Sequence, residues 1–461
     1  MIKTLAIEGL RGFSAKQEIK FSIPDGSNVG SGLNIIVGPN NTGKSTIVEA
    51  INAFNGQCSF SEGKRNTNSK SGVILELVDE NNNNYEISTI KDGGSEADRL
   101  INGKSNSVIL NNYILPSRRF VEYEFGGYKG DKKDYIRQNL FGNRKASLNS
   151  FSSRLFNMQK NKDKLNGLLS FVVGANVNWT IEQNDHGQYY VKFIFGDCSH
   201  SSEGIGDGLW SILTICDALF DSQPQQTIVI DEPELSIHPL YQKRIMQLLI
   251  KYSKDRQIVI CTHSPYFVDW ESISKGASLI RTNKIDNKIQ IHQVSNDFRT
   301  NVKGFLNDIN HPHVLGLEAN EVFFVDDGIV ITEGQEDVVA INRINHQLGI
   351  ELNGHLFGWG AGGASKEQIL LRLFSDLGFN RVVCIFDGDK KSDFERCKEY
   401  YPEYSYFILP TDDIRDKKND GIISKIGICT SGMVIKDEYK EYYMKLIDEI
   451  NRIMTSVTKV E

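Results

Sequence analysis

The apolar positions along the chain fall into two kinds of run. Residues 33–37, 227–230 and 257–261 are nearly continuous in apolar side chains, as strands buried on both faces of a parallel sheet must be. Residues 209–220 and 241–252 repeat at the spacing of amphipathic helices instead. Nearer the start, 2–10 and 18–23 alternate like two strands, and 73–78 and 85–90 alternate on either side of an asparagine run at 81–84, which predicts a hairpin. Residues 113–115 predict a short strand, and 179–182 with 189–195 a strand pair. Between 281 and 327 the period fades, which predicts a connector. From Gly328 a second alternation begins, with strands at 328–332, 355–359, 381–386 and 404–409 and helices at 336–348 and 366–377. This pattern predicts an α/β protein whose second half is a compact parallel-sheet domain, divided as 1–310 and 311–461, the latter ending in a helix.

Composition narrows the class. At 461 residues, with 39% hydrophobic and 24% charged residues, the chain reads as globular and of more than one domain. No apolar run is long enough to span a bilayer, so no membrane partner is expected. The start of the chain enters a strand pattern directly, with no signal-peptide profile. Seven scattered cysteines without a C-x-x-C pair fit reduced thiols in a cytoplasmic protein. The net charge of −7 offers nucleic acid no global attraction. One stretch differs: between 129 and 164, Lys129, Lys132, Lys133, Arg137, Arg144, Lys145, Arg154, Lys160, Lys162 and Lys164 face only Asp131, Asp134 and Asp163. This predicts a basic helical insertion at about 129–175, either a solvated face or a surface for nucleic acid or a partner.

The run at 33–37 leads into Gly38-Pro39-Asn40-Asn41-Thr42-Gly43-Lys44-Ser45, the G-x-x-x-x-G-K-S phosphate-binding loop, with a helical pattern after Thr46. Backbone N–H groups in such a loop and at the helix N-terminus point at anionic oxygens. Lys44 reaches the β- and γ-phosphates, and the Ser45 hydroxyl is a Mg²⁺ ligand. Downstream, the run 227–230 ends in Asp231-Glu232-Pro233-Glu234. A carboxylate at the end of a strand beside the P-loop strand is expected to hold Mg²⁺, which assigns Asp231, and Glu232 is placed as general base for the attacking water. His263, after the run 257–261, is a candidate contact to the γ-phosphate.

These residues resemble the ABC-type ATPase heads of the SMC and OLD group, and Val229 to Pro239 is especially similar to that group's Walker B and D-loop. The resemblance implies ATP binding by Gly38, Asn40, Asn41, Gly43, Lys44, Ser45, Thr46 and Asp231. The stretch from Ser202 to Gly208 occupies the place of the signature motif; Ser202 and Gly204 match it in kind and its final glutamine is missing. In such families the signature meets the γ-phosphate held by another subunit, which implies a head-to-tail homodimer or higher homo-oligomer with ATP at the interface. Gln17, or a polar group near Arg118, is a candidate for the Q-loop role. No heptad stretch separates the two Walker motifs, which excludes a coiled-coil arm.

The second alternation carries its own acids. Glu333-Gly334 follows one strand, and Asp387-Gly388-Asp389 ends another about fifty residues later. In a parallel α/β sheet, ligands collect at the carboxyl ends of strands. Carboxylates gathered there require cations between them, and Mg²⁺ or Mn²⁺ suits such hard oxygen donors. This region resembles the Toprim domain, with Glu333, Asp387 and Asp389 matching its glutamate and Asp-x-Asp, and Asp337 at the place of a further metal ligand in OLD-type members. Residues 358–365 match its glycine-rich turn. Asp412, Asp413 and Asp416 are candidates for a second metal site, and Lys417 or Lys418 for stabilising developing negative charge.

An ABC-type head followed by a Toprim domain is the arrangement of the OLD family. It implies an ATP-binding and -hydrolysing, metal-dependent DNA endonuclease, with Glu232, His263, Glu333, Asp387 and Asp389 as catalytic groups. Bacterial members act in anti-phage defence, alone or with a second component such as a helicase-like protein or a retron reverse transcriptase with its DNA. The rival reading is a nucleotide-switched scaffold, or a DNA-repair ATPase whose Toprim domain is regulatory or inactive.

Overall fold

The structure is a computed structural model. It describes residues 1–56, 60–69, 72–90, 96–105, 110, 112–117, 124–126, 155–156, 158–159, 162–201, 206–306, 315–324, 328–419 and 422–455. Contacts divide the chain into two compact units, Met1–Ile291 and His292–Glu461.

The sheet that carries the P-loop has six strands: β1 (Leu33–Val37), β2 (Tyr113–Leu115), β3 (Thr227–Asp231), β4 (Gln257–Cys261), β5 (Ser278–Ile285) and β6 (Lys288–Gln293). Their spatial order is β6-β5-β1-β4-β3-β2. The pairs β1–β4, β4–β3, β3–β2 and β1–β5 are parallel. Every residue of β1, β3 and β4 is buried, and each large aliphatic side chain so placed contributes about 1.5–3 kcal/mol. Two sequence expectations change here. The strand bearing Asp231 is not beside the P-loop strand, because β4 lies between them. Residues 281–285 are not connector but the second half of β5, the parallel neighbour of β1.

A second sheet of six strands, antiparallel throughout, packs in the same unit, in the order Gln17–Lys20, Ile2–Glu8, Ile74–Asp79, Asn84–Thr89, Ala97–Ile101, Lys104–Ser105. Buried amides stitch it to the first. Gln257 donates to Ile2 O at 2.6 Å and accepts from Ile2 N at 2.8 Å and from Thr227 Oγ1 at 2.9 Å. Asn34 does the same for Ser22, accepting from its N at 2.7 Å and donating to its O at 3.0 Å. Both side chains are fully buried, so each supplies strand-like pairing where no strand runs. Asn178–Gln183, Gln188–Phe195, Cys198–Ser201 and Glu124–Gly126 form a further four-stranded sheet. The helices of this unit include α1 (Lys44–Phe54), α2 (Lys162–Val173), α3 (Asp207–Asp221) and α4 (Pro239–Tyr252). α4 starts where its sequence says it should, with Pro239 in its first turn and His238 Nδ1 accepting from Leu240 N at 3.2 Å. Most of the basic segment 129–161, Arg118, Ser202 and Gly204 lie outside the described residues.

In the second unit, α5 (Asn296–Leu306) is tied in by Ser295, whose N donates to Asp376 at 2.9 Å. The unit's sheet consists of β7 (Ile329–Thr332), β8 (His355–Leu356), β9 (Val382–Phe386) and β10 (Ser405–Ile408), all parallel, in the order β8-β7-β9-β10. α6 (Gln335–Leu348), α7 (Ala364–Asp376) and α8 (Lys391–Tyr400) connect them. The chain leaves β7 toward one edge and returns to its other side as β9. The order reverses there, which opens a crevice at the carboxyl ends of β7 and β9. Beyond β10, β11 (Asp413–Arg415) pairs with β14 (Gly427–Cys429), and β12 (Lys417–Asn419) with β13 (Ile422–Lys425). The last helix, α9 (Asp437–Thr455), buries Tyr443, Leu446, Ile447, Ile450 and Met454 in the same core as Val330 and Val383. Among the described residues no helix is long and apolar enough to cross a membrane.

Candidate functional site: a P-loop cavity and a carboxylate crevice

In the first unit a cavity of about 370 Å³ is lined by Asn40 to Thr46, with Arg11, Glu232, His263, Lys284 and Ile289 on its other walls. Gly38 and Asp231, expected at the nucleotide, are not among the lining residues; Asp231 is buried at the end of β3. The loop is shaped by what it leans on. Gly43 has φ +96°, and a Cβ there would fall 2.6 Å from Ile289 Cδ1 and 3.0 Å from Phe13. Thr42 Oγ1 bonds Pro39 O at 2.8 Å and Thr282 Oγ1, on β5, at 2.7 Å. Lys44 is 5% exposed and donates to the loop's own carbonyls, Gly38 O at 2.8 Å and Pro39 O at 2.7 Å. Burial pulls its ammonium down to about 8. A buried cation behind a concave loop fits an anion such as a nucleotide phosphate.

Glu232 and His263 meet at this cavity although β3 and β4 bring them from separate strands. Glu232 sits at φ +49°, and its N donates to Cys261 O at 2.7 Å. Glu234 locks the two loops together: it accepts from His263 N at 2.6 Å and from Thr262 Oγ1 at 2.9 Å. Burial, then Lys44, pushes the His263 imidazole down to about 4, so it stands neutral at physiological pH. Sequence reasoning missed Glu234, Arg11 and Lys284. Arg11, paired with Glu49 at 2.7 Å, carried a signal in its place at the tight turn after the first strand; Lys284 carried none.

The crevice of the second unit gathers acids from several strand ends. Ligand oxygens of Glu333, Asp387 and Asp389 lie within 4.8 Å of one another, and so do those of Asp337, Asp387 and Asp413. Asp387 belongs to both groups. The glycine between the two aspartates makes this convergence possible: Gly388 N donates to Thr411 O at 2.8 Å, and a Cβ on Gly388 would fall 2.4 Å from that oxygen. The turn after β9 therefore lies directly on the loop that leads to Asp413. The glycine-rich turn holds the other side, with Ala361 N on Thr332 O at 2.8 Å and Gly363 N on Glu333 O at 2.9 Å. Asp337 also caps its own helix, accepting from Gly334 N at 2.8 Å. Of the three acids after β10, Asp413 joins the cluster. Asp412 is exposed, and Asp416 is engaged by Lys436 at 2.7 Å and Gly427 N at 2.9 Å.

Electrostatics separates the acids. Burial, with Asp337 and Asp413 adding repulsion, pushes Asp387 up to about 8. Burial, with Glu333 and Asp413 adding to it against the Gly334 N–H, brings Asp337 to about 7. Burial opposes ionisation of Asp389 too, but Lys425 and Lys390 hold it below the ordinary carboxylate range. Glu367, on α7 and missed in the sequence, is fully buried with neither carboxyl oxygen hydrogen-bonded. Burial raises it far above its ordinary value, and Glu333 and Asp337 add to this. Two oxygen triplets that share a ligand, with Asp387 and Asp337 raised by burial and by the charge of neighbouring carboxylates, form a donor set that fits Mg²⁺ or Mn²⁺.

Residues 199–269, which span Walker B and His263, match the family described as "AAA domain, putative AbiEii toxin, Type IV TA system". The matched stretch lies in the same unit as the P-loop cavity. The chain is 23% identical over 308 residues to the Septu protein PtuA of Bacillus thuringiensis, covering 60% of this chain and 76% of that protein. It is 30% identical over 172 residues to the OLD nuclease of Thermus scotoductus, covering 35% of this chain and only 31% of that relative's length. Among solved structures, an SMC head bound to the C-winged helix domain of ScpA superposes with a TM-score of 0.45 at 15% identity, over 64% of this chain and 98% of that one.

Proposed function

We propose that this protein is an ATP-regulated, metal-dependent DNA endonuclease of the OLD kind, with an ABC-type head and a Toprim-type second unit, acting in anti-phage defence. The observation that carries this reading is the pair of carboxylate triplets sharing Asp387 at the reversal point of a parallel sheet. The likeness to an OLD nuclease and to a Septu protein supports the defence role. Glu333, Asp337, Asp387, Asp389 and Asp413 would hold Mg²⁺ or Mn²⁺, which supplies an activated water and neutralises charge on the phosphate. The chain's own residues do the rest. Asp387 and Asp337 would give up their protons as ligands, and Lys390 at the rim would offer positive charge to a DNA backbone.

In the head, Lys44 and the loop amides would bind the phosphates of ATP, Ser45 and Asp231 would hold its Mg²⁺, and Glu232 would take the proton of the attacking water. His263, being neutral, contacts the γ-phosphate by a hydrogen bond rather than by charge. Ser202 and Gly204 serve a second copy's nucleotide in a homodimer, and the basic stretch 129–164 serves DNA or a second defence component.

The test is supercoiled plasmid with Mg²⁺ or Mn²⁺, with and without ATP. Nicking or degradation is expected from the native chain, and a fall of at least about a hundredfold from Asp387→Ala or Glu333→Ala, with ATP binding retained. Equal cleavage by these variants would remove the nuclease reading.

A further inference from the structure

The acid crevice already contains cations of its own. Lys417 and Lys425 stand directly opposite each other in the β12–β13 register, so both side chains leave the same face. Lys425 Nζ lies 2.6 Å from Asp389 Oδ2 and 3.8 Å from Asp413 Oδ2. Lys417 Nζ lies 2.5 Å from Asp413 Oδ2 and 3.5 Å from Glu336. Two ammonium groups therefore converge on one oxygen of Asp413, whose side chain is 2% exposed, and one of them also holds Asp389. Asp389 and Asp413 belong to different triplets, so each triplet has a ligand occupied by a lysine. Asp413 Oδ2 has charge beside it and no aligned hydrogen bond.

We propose that Lys417 and Lys425 are internal counter-cations that a divalent ion must displace from Asp413 and Asp389, so that this lysine pair sets the crevice's affinity for metal. The inference rests on the metal reading of the crevice. An ammonium and a divalent ion compete for the same carboxylate oxygens. The ammonium brings one positive charge on a flexible stem, and the ion brings two at shorter contact. The lysines thus keep the acids from repelling one another in the metal-free protein and raise the metal concentration at which the crevice fills. Lys390 adds a third, looser cation, its Nζ at 3.7 Å from Glu333 and 3.6 Å from Asp389.

The experiment is calorimetric titration of the full chain with Mn²⁺, without nucleotide or DNA. Lys417→Gln/Lys425→Gln is expected to bind Mn²⁺ about tenfold more tightly than the native chain, the sum of two half-exposed ion pairs removed. Lys417→Arg/Lys425→Arg, which keeps both charges, is expected to stay near native affinity, and far-ultraviolet circular dichroism checks that each variant folds. Asp387→Asn assigns the heat to the crevice. Native-like or weaker binding by the glutamine pair, with heat that Asp387→Asn abolishes, overturns this inference and leaves the metal reading standing. No Asp387-dependent heat from either protein overturns both.

Discussion

Glu232 holds a backbone conformation that a residue with a side chain rarely adopts, and it shares this with Arg11 and Asn41, which line the same cavity. Left-handed backbone costs about 1–2 kcal/mol per residue, so strain is concentrated around the space proposed for the γ-phosphate. The strain aims a carboxylate off the end of β3. Glu232→Gln keeps the shape and loses the base. ATP turnover is expected to drop about 10²–10⁴-fold with ATP affinity little changed, as phosphate release and equilibrium binding would show. Unchanged turnover would deny Glu232 the role of base. Lys44 adds a pH dependence. Its ammonium titrates near 8 in the free protein, so above that pH the amine is neutral and must take up a proton before it can pair with phosphate. Affinity for ATP is expected to fall about tenfold for each pH unit above 8. Lys44→Arg, charged throughout, should flatten that curve in the same titration.

At the scale of elements, Gln257 stands in for a strand by bonding Ile2 on both backbone sides and Thr227 as well. Gln257→Leu keeps the size and strands three buried polar groups. A loss of about 2–4 kcal/mol is expected, read as a lowered denaturant midpoint; a change under about 0.5 kcal/mol would mean that water replaces the amide. The same physics explains what could be read in advance. β1, β3 and β4 were legible because all their residues are buried and most are apolar. β5 was not, because its middle is Arg281, Thr282 and Asn283, all buried, and buried polar groups erase the period that marks a strand. Thr282 is there to brace Thr42 of the P-loop, a purpose that only the fold displays. The place of β4 between β1 and β3 was illegible too, since pattern gives strands without their order. In the crevice, Glu333, Asp387 and Asp389 could be chosen from their places after strands, and Asp337 only through the resemblance to OLD-type Toprim domains. Choosing Asp413 over Asp412 and Asp416 required the pairing of β11 with β14, and Glu367 looked like an ordinary acid in a helix's first turn.

At the scale of the whole molecule, two compact units each carry one candidate ligand site. A ligand that binds only the folded form stabilises the unit that holds it, by about 2.7 kcal/mol at a hundred times its dissociation constant. Thermal unfolding is therefore expected in two steps. ATP should raise the step of Met1–Ile291, and this effect should vanish in Lys44→Ala. Mn²⁺ without nucleotide should raise the step of His292–Glu461, with the effect vanishing in Asp387→Asn. A single step raised equally by either ligand would show that the units melt as one. The central position of β1 has a mechanical consequence. Ladders to β4 and β5 grip this strand from both sides, so sliding it would shear both rows of hydrogen bonds together. The strand beneath the P-loop is an anvil, so any motion coupled to a nucleotide there is expected in the loops after β3 and β4, which carry Glu232 and His263.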